Sequence, residues 1–478
     1  MNPSRLFANK ILPACLLLTL FLSGCARVNF EDSLAKTNQA ASTFTEGHLS
    51  LAQTDEQRAA MAKTAEELLA QPLSQKDAVH LALINNPALQ ALLAQNWSDA
   101  ANAAQTGRIA NPVFIFERTS LADEVEFERL IAFGLLDILT LPLRYTAAQR
   151  RIEQSQVRLT IEVVDQITRV RQAWVKAVAG QQNLNYAKQV NEVGEISAEI
   201  ARRMQKVGNF NRLQRARQQA FYADAATQWA VAQQSAVSTR EELVRLLGLS
   251  DDQEKKLKLP ERLPDLPETP RSPKEVSKAA QTGRLDIQLA QANYHASAKA
   301  QGLTRITSLT DIELGLRYDT VFDDAAGTHT NRKGYEISVR LPVFDWGDMQ
   351  RDAMNAQTLA AANQLEATVR AAGSNLRETY AAYRTAYDVS KHYRDEVLPV
   401  RRVISEENVL RYNGMLIGVF ELLADTRDQV NTVIAAITAQ QDFWLANAAL
   451  QTALMGNPMK IEVGRQVGKG SASAELPH

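Results

Sequence analysis

Six histidines and two cysteines are the residues in this 478-residue chain best suited to bind metal or act as nucleophiles, so their spacing is the first test for chemistry. His48, His80, His295, His329, His392 and His478 are scattered, and no two stand at the spacing of metal ligands. No phosphate-cradling glycine loop and no nucleophile elbow occurs. An enzymatic reading therefore has no residues to act through, and no metal site is expected. What remains is the thiol of Cys25, directly behind Leu22-Ser23-Gly24 at the end of an apolar run.

Arg5 and Lys10 precede that run, which extends from Ile11 to Leu22 and is too short to span a bilayer as a stable helix. It reads as a signal peptide over residues 1–24. Leu22-Ser23-Gly24-Cys25 resembles the bacterial lipobox, in which cleavage before the cysteine leaves a thiol that receives diacylglycerol. The resemblance makes a covalent lipid on Cys25 the only non-protein group expected, with no other cofactor. Ala26 follows where an aspartate usually retains lipoproteins in the inner membrane, so sorting to the outer membrane is implied. Cleavage removes Cys15 and two positive charges. The mature chain then has no second cysteine for a disulfide, and its 51 basic and 54 acidic residues leave a net charge of −3. Nothing in that balance points to a nucleic-acid partner.

Few aromatics and much Ala, Gln, Leu, Glu and Arg favour long helices. No later run approaches the roughly 20 apolar residues of a membrane helix, so a membrane crossing would have to use β-strands. Landmarks of the first half recur about 200 residues later in the same order. Asn86-Pro87-Ala88-Leu89-Gln90 answers to Arg284-Leu285-Asp286-Ile287-Gln288, and Leu141-Pro142-Leu143 to Leu341-Pro342-Val343. Gly194 pairs with Pro399 as a break in a long helix, a turn at Gly208-Asn209 with one at Asn413-Gly414, and Leu246-Leu247-Gly248 with Leu454-Met455-Gly456. The chain thus divides into a lipidated N-terminal segment (25–72), a first repeat (73–249), a linker (250–272), a second repeat (273–457) and a flexible tail (458–478). The Pro-rich, charged linker is expected to exclude helix.

Each repeat reads as helix, strand pair, very long helix, tight turn, helix. Ile312, Leu314, Leu316 and Tyr318 alternate with Asp311, Glu313 and Arg317, and Tyr335, Ile337, Val339, Leu341 and Val343 alternate with Glu336, Ser338 and Arg340. Between them Asp323, Asp324, Gly327, Thr328, His329, Asn331 and Lys333 read as a polar hairpin loop. The first repeat carries looser strands over 113–119 and 127–138. Each strand has about the 9–11 residues that a tilted strand needs to cross a bilayer. Open strand edges cannot face lipid, and the smallest bacterial barrels have about eight strands, so a four-stranded fragment would have to close with two or three copies of itself.

From 349 to 411 the only glycine is Gly373, which predicts roughly 90 Å of helix at about 1.5 Å per residue. Leu365, Val369, Ala372, Leu376, Tyr380, Tyr383 and Tyr387 mark one side at an eleven-residue period, which gives nearly straight helices. Small residues such as Ala360, Ala361, Ala362 and Ala367 allow close lateral contact. Periodicity fits both a closed bundle and a wall of helices around a hollow.

Gly334-Tyr335-Glu336-Ile337-Ser338-Val339-Arg340-Leu341-Pro342-Val343-Phe344-Asp345-Trp346-Gly347 resembles the strand-to-helix junction of the TolC-like outer-membrane factor family. Arg411-Tyr412-Asn413-Gly414 leading into Glu421-Leu422-Leu423-Ala424-Asp425 resembles the family's periplasmic hairpin tip, as do Arg203 and Gly208-Asn209-Phe210-Asn211 leading into Leu213. The resemblance implies a mainly α protein with a membrane β-barrel portion. In it, three chains build one 12-stranded barrel in the outer membrane of a Gram-negative bacterium and a periplasmic α-helical barrel. It further implies a passive exit duct, with tips that dock on a periplasmic adaptor (membrane fusion protein) and an inner-membrane pump of the resistance-nodulation-division type. By position Glu421 corresponds to an acidic ring at the aperture, with Asp425 one turn further on. Two departures stand out: Met415 occupies the place of the family's glycine while Gly414 comes one residue early, and the first-repeat match to Glu421 is Gln214. A lipid-anchored periplasmic coiled-coil adaptor or scaffold would also account for the helices and Cys25, but not for two matched strand pairs.

Overall fold

A computed structural model describes residues 29–45, 47–122, 124–281, 283–323 and 325–457. The signal segment 1–24, the lipidation residue Cys25, the lipobox residues Leu22, Ser23 and Gly24, and the tail 458–478 lie outside the described residues. In chain order the elements are α1 (Phe30–Thr45), α2 (Asp55–Leu69), α3 (Gln75–Asn85), α4 (Pro87–Thr106), β1 (Val113–Leu121), β2 (Glu124–Gly134), α5 (Leu135–Leu139), α6 (Leu141–Lys206) and α7 (Arg212–Leu247). Then come α8 (Asp251–Lys256), α9 (Pro273–Gln281), α10 (Leu285–Thr307), β3 (Ile312–Asp323), β4 (Thr328–Val339), α11 (Asp348–His392), a π-helical turn (Tyr393–Val397), α12 (Leu398–Asn413) and α13 (Val419–Leu454). None of the described helices is long and apolar enough to cross a membrane.

Two equivalent glycines make the duplication physical. Gly248 ends α7 with φ +67°, and a Cβ there would meet Pro87 Cδ at 2.6 Å and Asn86 Cα at 2.7 Å. Gly456 follows α13 with φ +87°, and its Cβ would meet Asp286 Oδ1 at 2.5 Å and Leu285 N at 2.8 Å. In both repeats a left-handed glycine lets the end of the last helix sit on the start of the second. Asn86 Nδ2 donates to Leu246 O (2.7 Å) in one case, and Leu285 N to Met455 O (2.9 Å) in the other.

The chain forms two compact units that cut across the repeats. One comprises the described residues up to Thr37 with Leu93–Leu159 and Ile287–Arg370, and holds one antiparallel sheet in the order β1-β2-β3-β4. β2 and β3 join the two repeats, from Glu124↔Asp323 to Gly134↔Glu313. The strands depart from the sequence reading at their ends. β2 stops at Gly134 because Leu135-Leu136 breaks the alternation, and α5 follows, closed by Thr140 Oγ1 donating to Leu136 O (2.7 Å). β4 stops at Val339, one residue short of a last cross-strand bond from Arg340 N to Asp311 O (3.0 Å), because Pro342 has no N–H to continue the ladder. At the other end β3 and β4 run further than expected, to Asp323 and from Thr328, so the hairpin loop is shorter than read and His329, Asn331 and Lys333 are strand residues.

The second unit, Asn38–Leu92, Thr160–Asp286 and the described residues from Ala371, is helical. Val163, Ile167, Val170 and Trp174 on α6 are buried with Leu243 and Leu247 of α7, and Trp174 Nε1 donates to Leu73 O (2.8 Å). The buried Arg171 guanidinium donates to Phe44 O (2.6 Å) and Gln451 Oε1 (2.8 Å) and lies 4.4 Å from the Phe44 ring centroid, which compensates its desolvation. The tyrosine stripe of α11 has a use that periodicity does not reveal. Tyr383 and Tyr387 pack on Phe443, while the Tyr387 hydroxyl donates to Pro267 O (3.1 Å) and Tyr380 to Arg271 O (3.1 Å), which straps the linker down. The linker begins with a short helix, α8, because Ser250 and Gln253 form a capping box; helix is excluded only over residues 257–272.

Gly194 and Pro399 are not equivalent breaks. α6 runs unbroken through Gly194, whose bare Cα lets Tyr222 and Ala225 of α7 approach, with Tyr222 Cα 3.4 Å from where a Cβ would stand. At Pro399 the missing N–H and the ring do disturb the helix, and the π-helical turn Tyr393–Val397 absorbs the misfit.

Candidate functional site

Two regions carry the residues that could act: the sheet in the first unit and the helical turns in the second.

Because side chains alternate along each strand, the register assigns every sheet residue to a face. One face carries Phe114, Phe116, Val125, Phe127, Ile131, Phe133, Ile312, Leu314, Leu316, Tyr318, Phe322, Tyr335, Ile337 and Val339. Several are open to solvent, among them Phe114 (61% exposed), Tyr335 (76%) and Ile337 (56%). The other face is acidic. Glu117, Glu128, Asp319 and Arg332 form one row across all four strands, and Glu126 and Glu124 lie on the same face. Like charges directly opposite one another repel, and Arg317 relieves part of this by pairing with Glu128 (2.6 Å) and Asp319 (2.7 Å). Asp319 is 5% exposed, and its Oδ1 has no hydrogen-bond partner. Among the described residues β1 and β4 pair only with β2 and β3, so both edges are open.

In the helical unit α6 ends in a turn built on Gly208 (φ +84°), with Asn209 N donating to Met204 O (2.9 Å) and Gly208 N to Gln205 O (3.1 Å). α12 ends in the same pattern: Leu416 N donates to Arg411 O (2.8 Å) and Met415 N to Tyr412 O (3.0 Å). The left-handed residue there is Met415 (φ +59°), while Gly414 has φ −77°. Gly208 therefore corresponds to Met415, which corrects the pairing with Gly414 read from sequence. The missing glycine has not changed the turn; a methionine has been forced into it.

Beyond each turn a helix starts, and Gln214 and Glu421 both stand at its third position. Asn211 caps α7, accepting from Gln214 N (2.8 Å) while Gln214 Oε1 accepts from Asn211 N (2.7 Å). Gly418 caps α13 without a side chain, and Glu421 is exposed. One turn on, Asp425 is 9% exposed and its Oδ2 lacks a partner; Gln218, at the matching place in α7, is 4% exposed with an unpartnered Oε1. The two acidic residues singled out from sequence thus sit in different surroundings, Glu421 in solvent and Asp425 against protein. Arg427 ties the two hairpins together, donating to Arg217 O (3.3 Å) and lying 4.8 Å from the Phe221 ring.

Arg203 and Arg411 are exposed near their turns, each paired along its own helix, Arg203 with Glu199 (2.8 Å) and Arg411 with Glu407 (3.8 Å). Hydrogen bonds from Arg202 first, and then Arg203, hold the Glu199 carboxyl down at about 2. The sequence reading missed Met415 as the left-handed residue and Gln214 as a cap, although Asn211-x-x-Gln214 is a capping signature. No group of His, Cys, Asp or Glu among the described residues could hold a metal ion.

No family model matches the sequence, and no curated protein matches it at a significant level. Solved structures do. A membrane protein from Pseudomonas aeruginosa superposes with a TM-score of 0.67 at 19% identity, covering 80% of this chain and 93% of that one. The Campylobacter jejuni CmeC outer membrane channel gives 0.67 at 15%, covering 89% and 93%, and the open state of the Neisseria gonorrhoeae MtrE outer membrane channel gives 0.61 at 17%, covering 80% and 89%. At such identities the fold is what is shared: mostly helix with a small antiparallel sheet, as the resemblance to TolC-like proteins implied.

Proposed function

We propose that this chain is the outer-membrane exit duct of a tripartite efflux system, a conduit and not an enzyme. Cys25 carries the lipid anchor, and three chains close their sheets into one 12-stranded barrel. The helices extend into the periplasm toward an adaptor and an inner-membrane pump that supplies the cargo.

The observation that carries this reading is the sheet itself. It has one apolar face open to solvent, one acidic face and two open edges, an arrangement that a water-soluble domain would bury or blunt. In a bilayer the same features become useful. The apolar face meets lipid, the acidic face lines water, and copies of the chain satisfy the edges. The turns at Gly208-Asn209 and Met415, with Val207 (71% exposed), Leu213 (60%) and Leu416 (76%) around them, offer the adaptor an apolar surface. Three copies of Glu421 would form the acidic ring of the aperture, favouring cations and repelling one another until a partner opens it.

Ion conductance of purified protein in planar bilayers, wild type beside Glu421→Ala, tests this. Trimeric, heat-modifiable channels whose small cation-selective conductance rises or loses selectivity in the variant support duct and aperture together. Absence of conductance in both, with no trimer in detergent, returns the chain to an anchored scaffold.

A further inference from the structure

The apolar face of the sheet is not wholly apolar. Register puts Phe116, Arg129, Tyr318 and Lys333 in one row and Arg118, Phe127, Thr320 and Asn331 in the next row toward the hairpin turns. Arg118, Arg129 and Lys333 therefore project from the same face as the aliphatic and aromatic residues, and no carboxylate shares that face. None of the three makes an ion pair among the described residues. Their contacts are Arg129 Nη1 to Thr320 Oγ1 (3.1 Å), Arg129 over the Tyr318 ring at 5.7 Å and Lys333 over it at 5.9 Å. All carboxylates of the sheet lie on the opposite face, where the other arginines, Arg317 and Arg332, pair with them.

An uncompensated cation on a lipid-facing strand is strongly destabilising at the bilayer midplane and close to neutral near the interface. The rows on the helix side, built on Leu316, Leu314 and Ile312, hold only apolar residues, with Phe114, Ile131, Tyr335, Ile337 and Val339 beside them. The cationic rows begin about 20 Å along the strand from Ile312, at about 3.3 Å per residue. Arg129 also leans further that way, since Thr320 lies one row nearer the turns. Long basic side chains behave so when they reach from hydrocarbon to an anionic headgroup layer.

We propose that Arg118, Arg129 and Lys333 form an anion site on the outer wall of the barrel that takes the phosphates of outer-leaflet lipopolysaccharide. The proposal rests on the duct reading in one respect: the helices occupy the periplasmic side, so the hairpin turns, and with them the cationic rows, face the outer leaflet. Three unpaired cations on an otherwise apolar wall match a lipid that carries phosphates on a hydrocarbon body, and the rings of Phe116, Phe127 and Tyr318 between them match its acyl chains.

The test uses full-length, lipidated protein in detergent, wild type beside Arg118→Gln/Arg129→Gln/Lys333→Gln, titrated with bisphosphorylated lipid A, dephosphorylated lipid A and phosphatidylglycerol, with bound lipid counted by native mass spectrometry. The expected result is preferential retention of bisphosphorylated lipid A, lowered at least tenfold in the triple variant, with trimer and conductance unchanged. Equal retention of dephosphorylated lipid A, or of phosphatidylglycerol, overturns the assignment. If the triple variant fails to fold, Lys333→Gln alone, on an open edge strand, is expected to lower retention, and no change there counts against the site. Conductance in the same preparations separates the two ideas. A conducting channel without lipid preference sinks only the anion site, and phosphate-dependent retention by a non-conducting protein sinks only the duct.

Discussion

Gln214 and Glu421 stand at the same position of equivalent helices, yet only Gln214 is engaged by its own helix, through the reciprocal bonds with Asn211 at 2.7 and 2.8 Å. Duplication has given one repeat a capped helix start and left the other with a glycine cap and an exposed carboxylate. Gln214→Ala should lower stability by about 0.5–1 kcal/mol, measured by chemical denaturation. Gln214→Glu keeps the capping geometry and adds a second carboxylate per chain. Its cation-over-anion permeability ratio in planar bilayers should rise above wild type, and an unchanged ratio would mean that this position does not face the ion path.

Met415 carries a conformational cost that Gly208 does not. A left-handed backbone costs an L-residue about 1–2 kcal/mol, while glycine in its place loses about 0.5–1 kcal/mol more entropy on folding. Met415→Gly should therefore leave the turn intact and raise stability by up to about 1 kcal/mol. Gly208→Val should lower it by about 1–2 kcal/mol. If Met415→Gly instead weakens adaptor binding in a pull-down without loss of stability, the exposed thioether is part of the docking surface.

The glycines that end the repeats are a stricter case. Around Gly248 the obstacles include the Cα of Asn86 and the ring of Pro87, and around Gly456 they include the backbone N of Leu285. None is the end of a flexible side chain except at Asp286. Either glycine changed to alanine should cost about 2–4 kcal/mol, from left-handed strain together with overpacking. Thermal melting followed by circular dichroism reads this directly, and a drop under about 1 kcal/mol at both would mean that the helix ends can move apart.

Much of this arrangement is legible from sequence, for physical reasons. Period-two alternation predicted the second repeat's strand pair, the duplication pointed to the looser pair of the first, and helix composition predicted the long helices, because pattern and composition both report local geometry. Their ends were read less well. Thr328, His329, Asn331 and Lys333 look like loop residues because they are polar, yet pairing with Asp323, Phe322, Thr320 and Tyr318 across the hairpin makes them strand. Gly194 looks like a break because glycine weakens helices, but only the approach of α7 explains it. The duplication pairing of the tip turn was off by one residue, drawn to Gly414, whereas the family resemblance had already put Met415 in the glycine's place; the sequence alone cannot show that a methionine takes the positive φ there. The asymmetry between an exposed Glu421 and a buried Asp425 depends on what packs against them, and no spacing encodes that.

A half-buried carboxylate in the helical unit gives a prediction with a defined sign. Burial pushes the Asp442 carboxyl above its ordinary value of 3.8, so the folded state holds that proton more tightly than the unfolded chain does. In the window between 3.8 and the raised value stability falls as pH increases, and above that window the cost of the buried charge is fully present. Asp442→Asn removes the charge and keeps the shape. It should melt at a higher temperature than wild type at pH 7, and the difference should shrink as pH falls and vanish below 3.8, where both side chains are neutral. A gap that persists at low pH would point to packing, and a variant that melts lower at pH 7 would mean that the ionised carboxylate has a partner in the assembled protein.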